Sequence, residues 1–298
     1  MRIFSLLILI LVLAADVYYL SHEKKAQSIS KEQVTYPTLI DTVHLQNLLE
    51  GYSDSTLQTM LNAGEEILEW NRLLEKTDST VVSEIMNHTS EYLERWHYPK
   101  GDVVDRDTGS QYYYHIHSPH IHGHFHLFSR PSDPSVHPIR RSSEKNLYAH
   151  LVGISIDETG QPVGLFTTNQ WVTNESWFAV ADLEKMLDQF QIDHTYPSWA
   201  TNQWLRAMVQ LFRPQIIQLL MEKEQILQKH QVENPSIDAF EDRSIEVISK
   251  LPISVELQIT IIQDILQSRQ LSELNRSLAH SSLLDALFLG YTHHISDL

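Results

Sequence analysis

The chain of 298 residues contains no cysteine. This absence excludes disulfides, thiolate metal sites, cysteine nucleophiles and lipid attachment through cysteine. Any transition-metal site in this protein must therefore be built from nitrogen and oxygen ligands.

Basic residues are also scarce. The chain has 22 Lys and Arg against 38 Asp and Glu, and its net charge is −16. Such a potential repels phosphate backbones and anionic membrane surfaces, so we expect no binding to nucleic acid. The same potential is mildly favourable for cations. With 42% hydrophobic and 20% charged residues, the composition is that of a globular protein.

The N-terminus carries a short apolar run. Residues 1–15 have one basic residue, then apolar residues that end in small ones, which is typical of a signal peptide. A retained membrane anchor over 3–20 is the alternative, although it is short for a spanning helix and contains Asp16. We interpret 1–20 as one or the other, followed by a flexible lead-in over 21–35. We therefore expect an exported protein, either periplasmic or membrane-anchored and facing the periplasm or the exterior. Recovery of the intact chain from the cytosolic soluble fraction would contradict this.

Apolar periodicity predicts helices, then strands, then helices. A helical hairpin is predicted over 56–96, ended by Pro99–Gly101. Strands are predicted at 112–117, 121–128, 147–156 and 163–168. Helices are then predicted from 179, after Ser198, and over 243–250, 254–269 and 271–289.

This grouping indicates an α+β fold with a small central antiparallel sheet. The sheet would consist of a histidine-rich hairpin and a second hairpin. Asn234-Pro235 is a break. We therefore expect a main domain over 36–232 and a C-terminal helical region over 235–298.

The histidines are concentrated in one stretch. Six of the 17 lie within twelve residues, as His115, His117, His120, His122, His124 and His126. Side chains on a strand alternate between its two faces. His115 and His117 therefore share one face of a first strand. On a second strand, one face carries His122, His124 and His126.

Ser118-Pro119-His120 between these strands has the composition of a turn. Directly opposed side chains on one face have Cβ atoms roughly 4.5–5.5 Å apart, so the turn would bring four imidazoles into a square. A one-residue slip would break this arrangement. The predicted cross-strand pairs are His117–His122, His115–His124 and Tyr113–His126.

A metal site is the sharpest interpretation of this square. Neutral imidazole binds Zn, Cu, Ni and Fe. A catalytic zinc site takes three protein ligands and keeps one position for water. We therefore expect a divalent transition metal, with zinc as the first candidate. The candidate ligands are His115, His117, His122 and His124, with His126 or Tyr113 behind them.

Two other interpretations stay open. The histidines could be hydrogen-bonded residues on a polar, aromatic sheet face. Alternatively, His122–Phe128 resembles the histidine-triad motif of nucleotide hydrolases and transferases, in which the middle histidine, here His124, attacks phosphorus. The net charge of −16 fits poorly with nucleotide chemistry. The remaining classes are a metal-dependent hydrolase-type enzyme, a non-catalytic metal- or ligand-binding module, and a phosphorus-transfer enzyme.

Residues after the second hairpin add candidates for a ligand pocket. Asn169 and Trp171 could line it, because aromatic walls with a few polar groups suit small molecules. Packing of Trp171 in the core is an equal alternative. Glu175 is the candidate general base if a metal-bound water exists. His97 and His150 could approach the same face, but each alone is expected to be a structural hydrogen-bonding residue.

Five phrases of the sequence carry a family resemblance. They are Arg95–Asp102, Ser110–His117, His122–His126, Leu165–Thr173 and Asn202–Leu205. Together they resemble a bacterial family known only as a domain of unknown function, DUF6969. The resemblance covers roughly 90–225 and implies that the His hairpin, the hairpin of 147–175 and the helix from 198 belong to one domain. It implies no activity.

Overall fold

A computed structural model gives the fold of residues 34–37, 39–87, 96–116, 123–142 and 147–293, with side chains of the last helix described to residue 278. The predicted signal peptide or anchor, the turn at 118–120, and His117 and His122 lie outside these residues. Within the described part of the chain, no helix is long and apolar enough to span a membrane.

The centre of the fold is a six-stranded antiparallel sheet in which each strand pairs with the next along the chain. This sheet, with helices before and after it, confirms the predicted α+β class. The strands are β1 Tyr98–Val104, β2 Ser110–Ile116, β3 Gly123–Ser129, β4 Ala149–Ile156, β5 Pro162–Thr168 and β6 Val247–Pro252.

The described residues contain eight helices. Three precede it: α1 Thr42–Glu50, α2 Asp54–Glu75 and α3 Val81–Met86. Four lie between β5 and β6: α4 Gln170–Thr173, α5 Val180–Asp188, α6 Trp199–Leu211 and α7 Arg213–Glu233. The last is α8 Val255–His293.

Local sequence explains where several helices begin. The side chains of Asp41, Ser53, Thr80 and Ser198 each accept a hydrogen bond from a backbone N–H in the first turn of the helix that follows. Pro214 lies in the first turn of α7, where its missing N–H has no helical partner to lose. The helix predicted after Ser198 is therefore α6, and Ser198 is its N-cap.

One face of the sheet packs against the helices and forms the main core. Each of the four central strands contributes buried side chains to this face, for example Tyr112, Phe125, Val152 and Leu165. The hydroxyl of Tyr112 donates to Asn202 Oδ1 at 2.6 Å, which ties β2 to α6. The opposite face of β2 and β3 is therefore left to the alternate residues, which include the histidines.

The prediction that Pro99–Gly101 ends a helix is wrong. These residues lie in β1, which pairs with β2 through Val103 and Tyr112. Proline is tolerated because β1 is an edge strand, where an absent N–H breaks no ladder bond on the open side. Gly101 and Asp102 have positive φ angles of 89° and 60°, and the register shifts between Tyr98 and Val103. The irregular segment is a strand because it pairs with β2.

The predicted helix over 243–250 is also wrong. The chain there forms β6, which pairs with β5 through Leu251 and Leu165. Ser249 Oγ contacts Thr167 Oγ1 at 2.6 Å and donates to Leu219 O at 2.8 Å. The two partners of Ser249 lie 82 and 30 positions away in the sequence. The local apolar pattern of 243–250 therefore cannot predict these contacts.

The chain after Pro235 is therefore not purely helical, because it supplies a strand to the central sheet. The two helices predicted over 254–269 and 271–289 are one continuous helix, α8. The second helix of the predicted hairpin ends at Met86 in α3, and residues 88–95 lie outside the described part. From Tyr36 onward the described residues belong to one compact unit.

Candidate metal centre

The register between β2 and β3 places the described histidines on one sheet face. Tyr113 pairs with His126, and His115 pairs with His124. Both pairs agree with the register predicted from the turn. The third predicted pair, His117 with His122, lies outside the described residues.

His115, His124 and His126 form a compact triad. Each offers a ring nitrogen, and these nitrogens all lie within 4.8 Å of one another. Ring centroids are 4.3 Å apart for His115 and His124, and 4.7 Å apart for His124 and His126. In a tetrahedral zinc site with Zn–N bonds of about 2.05 Å, ligand nitrogens lie about 3.4 Å apart. Small side-chain rotations would therefore close the triad around one ion.

Aromatic rings enclose the inner part of the triad. The ring of Phe166 lies 5.0 Å from that of His124 and 5.5 Å from that of His126, and Tyr113 lies 5.1 Å from His126. Gly153 lies opposite His126 on β4, and a Cβ there would collide with the Phe166 ring. This glycine therefore lets the phenylalanine lie across the sheet beside the histidines.

Burial keeps the inner histidine neutral. His126 is 1% exposed, and desolvation lowers its pKa well below the ordinary value. The neighbouring His124, His150 and His115 lower this pKa further by charge repulsion. A neutral imidazole has a lone pair available for a metal, so the environment favours the ligand form.

His150 on β4 joins the histidine face from behind the triad. Its Nε2 lies 2.9 Å from His126 Nδ1, and its Nδ1 lies 3.4 Å from Thr168 Oγ1. His150 is fully buried, and its pKa is lowered well below the ordinary value by desolvation and then by the charge of Lys223. The sequence indicated that His150 could approach this face, and it was expected to be a structural hydrogen-bonding residue.

Glu175, the predicted general base, lies in a buried ion pair. Its Oε1 accepts from Lys223 Nζ at 2.6 Å, and its Oε2 accepts from the backbone N–H of His150 at 2.8 Å. Burial raises the pKa of Glu175, while Lys223 acts against this rise. The Lys223 ammonium also lies 4.3 Å from the centre of the Trp177 ring. Both carboxylate oxygens are therefore engaged in structural contacts.

His97 stacks on Tyr113, which is next to the triad, and is partly exposed to solvent. The two rings stack at 3.6 Å with planes 7° apart, and the side chain of His97 is 42% exposed. His97 Nδ1 lies 2.8 Å from Asp102 Oδ1, and Gln111 Nε2 donates to Asp102 Oδ2 at 2.8 Å. The His97 ring is 6.3 Å from that of His115. A histidine oriented by a carboxylate therefore stands beside the triad.

Asn169 and Trp171, the predicted ligand-binding residues, contact the segment that precedes β6. Asn169 caps α4 and donates to Ala239 O at 2.9 Å. Trp171 Nε1 donates to Ile245 O at 2.9 Å, and Arg243 lies over its ring at 4.6 Å. In the described residues, these two side chains tie α4 to the segment before β6.

Sequence reasoning missed two partners of the site. Lys223 is 48 positions from Glu175, on helix α7, and Asp102 lies in the irregular strand β1 beside His97. The spacing of Asp102 from His97 is the one local signal, because the two residues are only five positions apart in the sequence. Nothing local marked Lys223.

These features define an α+β protein whose antiparallel sheet carries a three-histidine cluster on one face. The chain belongs to the family described as a domain of unknown function (DUF6969), whose model matches residues 61–253. The match is wider than the resemblance seen in the sequence, and it contains all six strands and the triad. No curated protein and no solved structure matches the chain.

The buried histidines predict a pH dependence of stability in the metal-free protein. His126 and His150 have folded-state pKa values below the ordinary value, whereas in the unfolded chain they titrate near 6.5. Above that pH, both histidines are neutral in the folded and in the unfolded chain, so their protonation does not lower the free energy of unfolding. As pH falls below about 6.5, the unfolded chain takes up two extra protons, so the free energy of unfolding falls by up to about 2.7 kcal/mol per pH unit.

Denaturant titrations at several pH values, with a chelator present, measure this slope. The variant His126→Gln should remove about half of it, or about 1.4 kcal/mol per pH unit. The exposed His137 serves as control, and His137→Gln should leave the slope unchanged. An equal slope in wild type and His126→Gln would contradict the neutral buried state.

Proposed function

We propose that this protein binds one divalent transition-metal ion through His115, His124 and His126, with Zn²⁺ as the first candidate. The observation that carries the proposal is the convergence of three ring nitrogens within 4.8 Å. Three protein ligands with a further position open is the arrangement of catalytic zinc sites, whereas a fourth protein ligand would make the site structural. Because the chain has no cysteine, imidazole nitrogen takes the place of thiolate as the ligand for zinc.

The surroundings of the triad support this proposal. Burial favours neutral imidazole at His126, and a hydrogen bond at its other nitrogen is what metal-ligating histidines have in known sites. The net charge of −16 favours the approach of cations. A cation would stabilise the three nitrogen lone pairs that the triad brings together. Without a metal, protonated rings this close would repel one another.

The geometry favours metal binding over phosphorus transfer by His124. A phosphoryl group needs positive charge around its oxygens. Lys223, the cation that acts on His150, is paired with Glu175 and is 3% exposed. It is therefore not available to a phosphate at the triad.

Metal binding should depend on pH and on the triad. Calorimetric titration with Zn²⁺ at pH 7.5 should give one site per chain in wild type. At pH 5.5 the affinity should fall by about tenfold, because protons compete with the metal at imidazoles, whose reference pKa is about 6.5. His126 should contribute least to this fall, because burial lowers its pKa. His124→Ala should abolish the site, and His137→Ala, an exposed histidine outside the triad, should bind as wild type does.

Weak binding that is equal at both pH values and unchanged in His124→Ala would leave the histidines as residues of a polar sheet face. Untagged protein must be used, because a histidine tag binds the same metals.

A hydrolytic activity is the second candidate, favoured by the His97–Asp102 pair beside the triad. When bound, the ion would polarise a water or a substrate oxygen. His97 is held by stacking on Tyr113 and by Asp102, and Asp102 is held by Gln111. A half-exposed histidine with this support is positioned to accept a proton from an attacking water. We assign this part to His97 rather than to Glu175, whose carboxylate oxygens are both engaged.

Hydrolysis of two probes tests this candidate. Zinc-loaded protein should release p-nitrophenol from p-nitrophenyl acetate or bis(p-nitrophenyl) phosphate faster than the metal-free protein does. His97→Gln should lower that rate by about 10²–10⁴-fold, the usual contribution of a general base, while leaving zinc affinity unchanged. His137→Gln should behave as wild type. If zinc binds and neither probe is cleaved above the metal-free rate, a non-catalytic metal-binding module is the better description.

A further inference from the structure

We infer that His150 is a positioning residue of the proposed metal centre, which holds His126 by accepting the proton of its Nδ1 so that Nε2 is presented to the ion. The inference rests on the proposed metal binding. It concerns a residue outside the triad, and it makes the triad part of a longer buried network.

The distance between the two rings allows one shared proton. His126 Nδ1 and His150 Nε2 are 2.9 Å apart, so one nitrogen carries the hydrogen and the other accepts it. If His150 donates, the remaining proton of a neutral His126 is on Nε2, and that nitrogen has no lone pair for a metal. If His126 donates, its Nε2 is a free ligand atom. Metal binding through Nε2 therefore requires His150 to be the acceptor.

Thr168 completes the acceptor arrangement. A neutral His150 that accepts at Nε2 carries its own proton on Nδ1. That nitrogen faces Thr168 Oγ1 at 3.4 Å, and a hydroxyl oxygen can accept. The three side chains are all buried, so water does not compete for these contacts.

The backbone of His150 is fixed by a second buried feature. Its N–H donates to Glu175 Oε2 at 2.8 Å, and the same carboxylate is held by Lys223 at 2.6 Å. The register of β3 and β4 shifts between Leu127 and Phe128, so that Phe128 pairs with His150. This irregularity brings the His150 ring onto the histidine face. The ion pair and the bulge together keep the ring beside His126.

Loss of an outer hydrogen-bond partner typically lowers metal affinity by about 10–100-fold, because the ligand ring loses both orientation and basicity. His150→Leu removes the acceptor and keeps a side chain that can fill the space. We expect its zinc affinity at pH 7.5 to be 10–100-fold weaker than that of wild type. His150→Gln provides an amide oxygen near the former Nε2 and should bind within about threefold of wild type, an allowance for imperfect placement of that oxygen.

Val152→Ala is the matched control for loss of packing. Val152 is buried on the same strand but faces the helices. This variant should lose stability without losing zinc affinity. Thermal unfolding of each metal-free variant shows whether a change in affinity follows a change in stability.

A spectroscopic readout separates positioning from packing. In the zinc-loaded wild type, ¹⁵N-resolved NMR should show a solvent-protected proton on His126 Nδ1 with coupling across the hydrogen bond to His150 Nε2. In His150→Gln the proton should remain protected without that coupling, and in His150→Leu it should exchange faster than in wild type.

The outcomes distinguish the two proposals. If wild type binds no zinc at the triad, the proposed function fails. If wild type binds zinc there and His150→Leu binds equally well, or the proton is found on His150 Nε2, the role of His150 is overturned while the metal site stands.

Discussion

The antiparallel register between β2 and β3 is the constraint on which the candidate site depends. Because side chains alternate with period two, one register puts His115, His124 and His126 together on a sheet face. A slip by one residue would send the histidines of one strand into the helical core. The apolar alternate residues, such as Tyr112 and Phe125, prevent that slip by their burial on the opposite face. The packing that stabilises the fold therefore also sets the geometry of the site.

A buried polar network extends this constraint beyond the hairpin. Starting from the triad, it passes from His126 to His150, through the backbone of β4 to Glu175, and ends at Lys223 on α7. Breaking a buried ion pair by removing one partner is strongly destabilising, since the other charge is left without compensation. The helix α7 therefore supports the histidine face although it contributes no candidate ligand.

Much of the fold and part of the site could be predicted from local patterns. Alternating histidines around a proline turn were sufficient to predict the pairs His115–His124 and Tyr113–His126. What failed depends on distant partners. Strand β6 is fixed by β5 and by Leu219, and the irregular β1 is fixed by β2. The contact between Glu175 and Lys223 could not be predicted locally for the same reason, because Lys223 lies 48 positions away on α7.

Locating the metal in a crystal is the most direct test of whether the triad is a metal site. Crystals of untagged, zinc-loaded protein would be measured on both sides of the zinc absorption edge, and an anomalous difference map would locate the ion. We predict one peak per chain, bonded to nitrogens of His115, His124 and His126 at about 2.0–2.1 Å. A peak bonded to other residues without these three, or no peak at the triad in zinc-saturated crystals, would contradict the claim that the β2–β3 register builds a metal site.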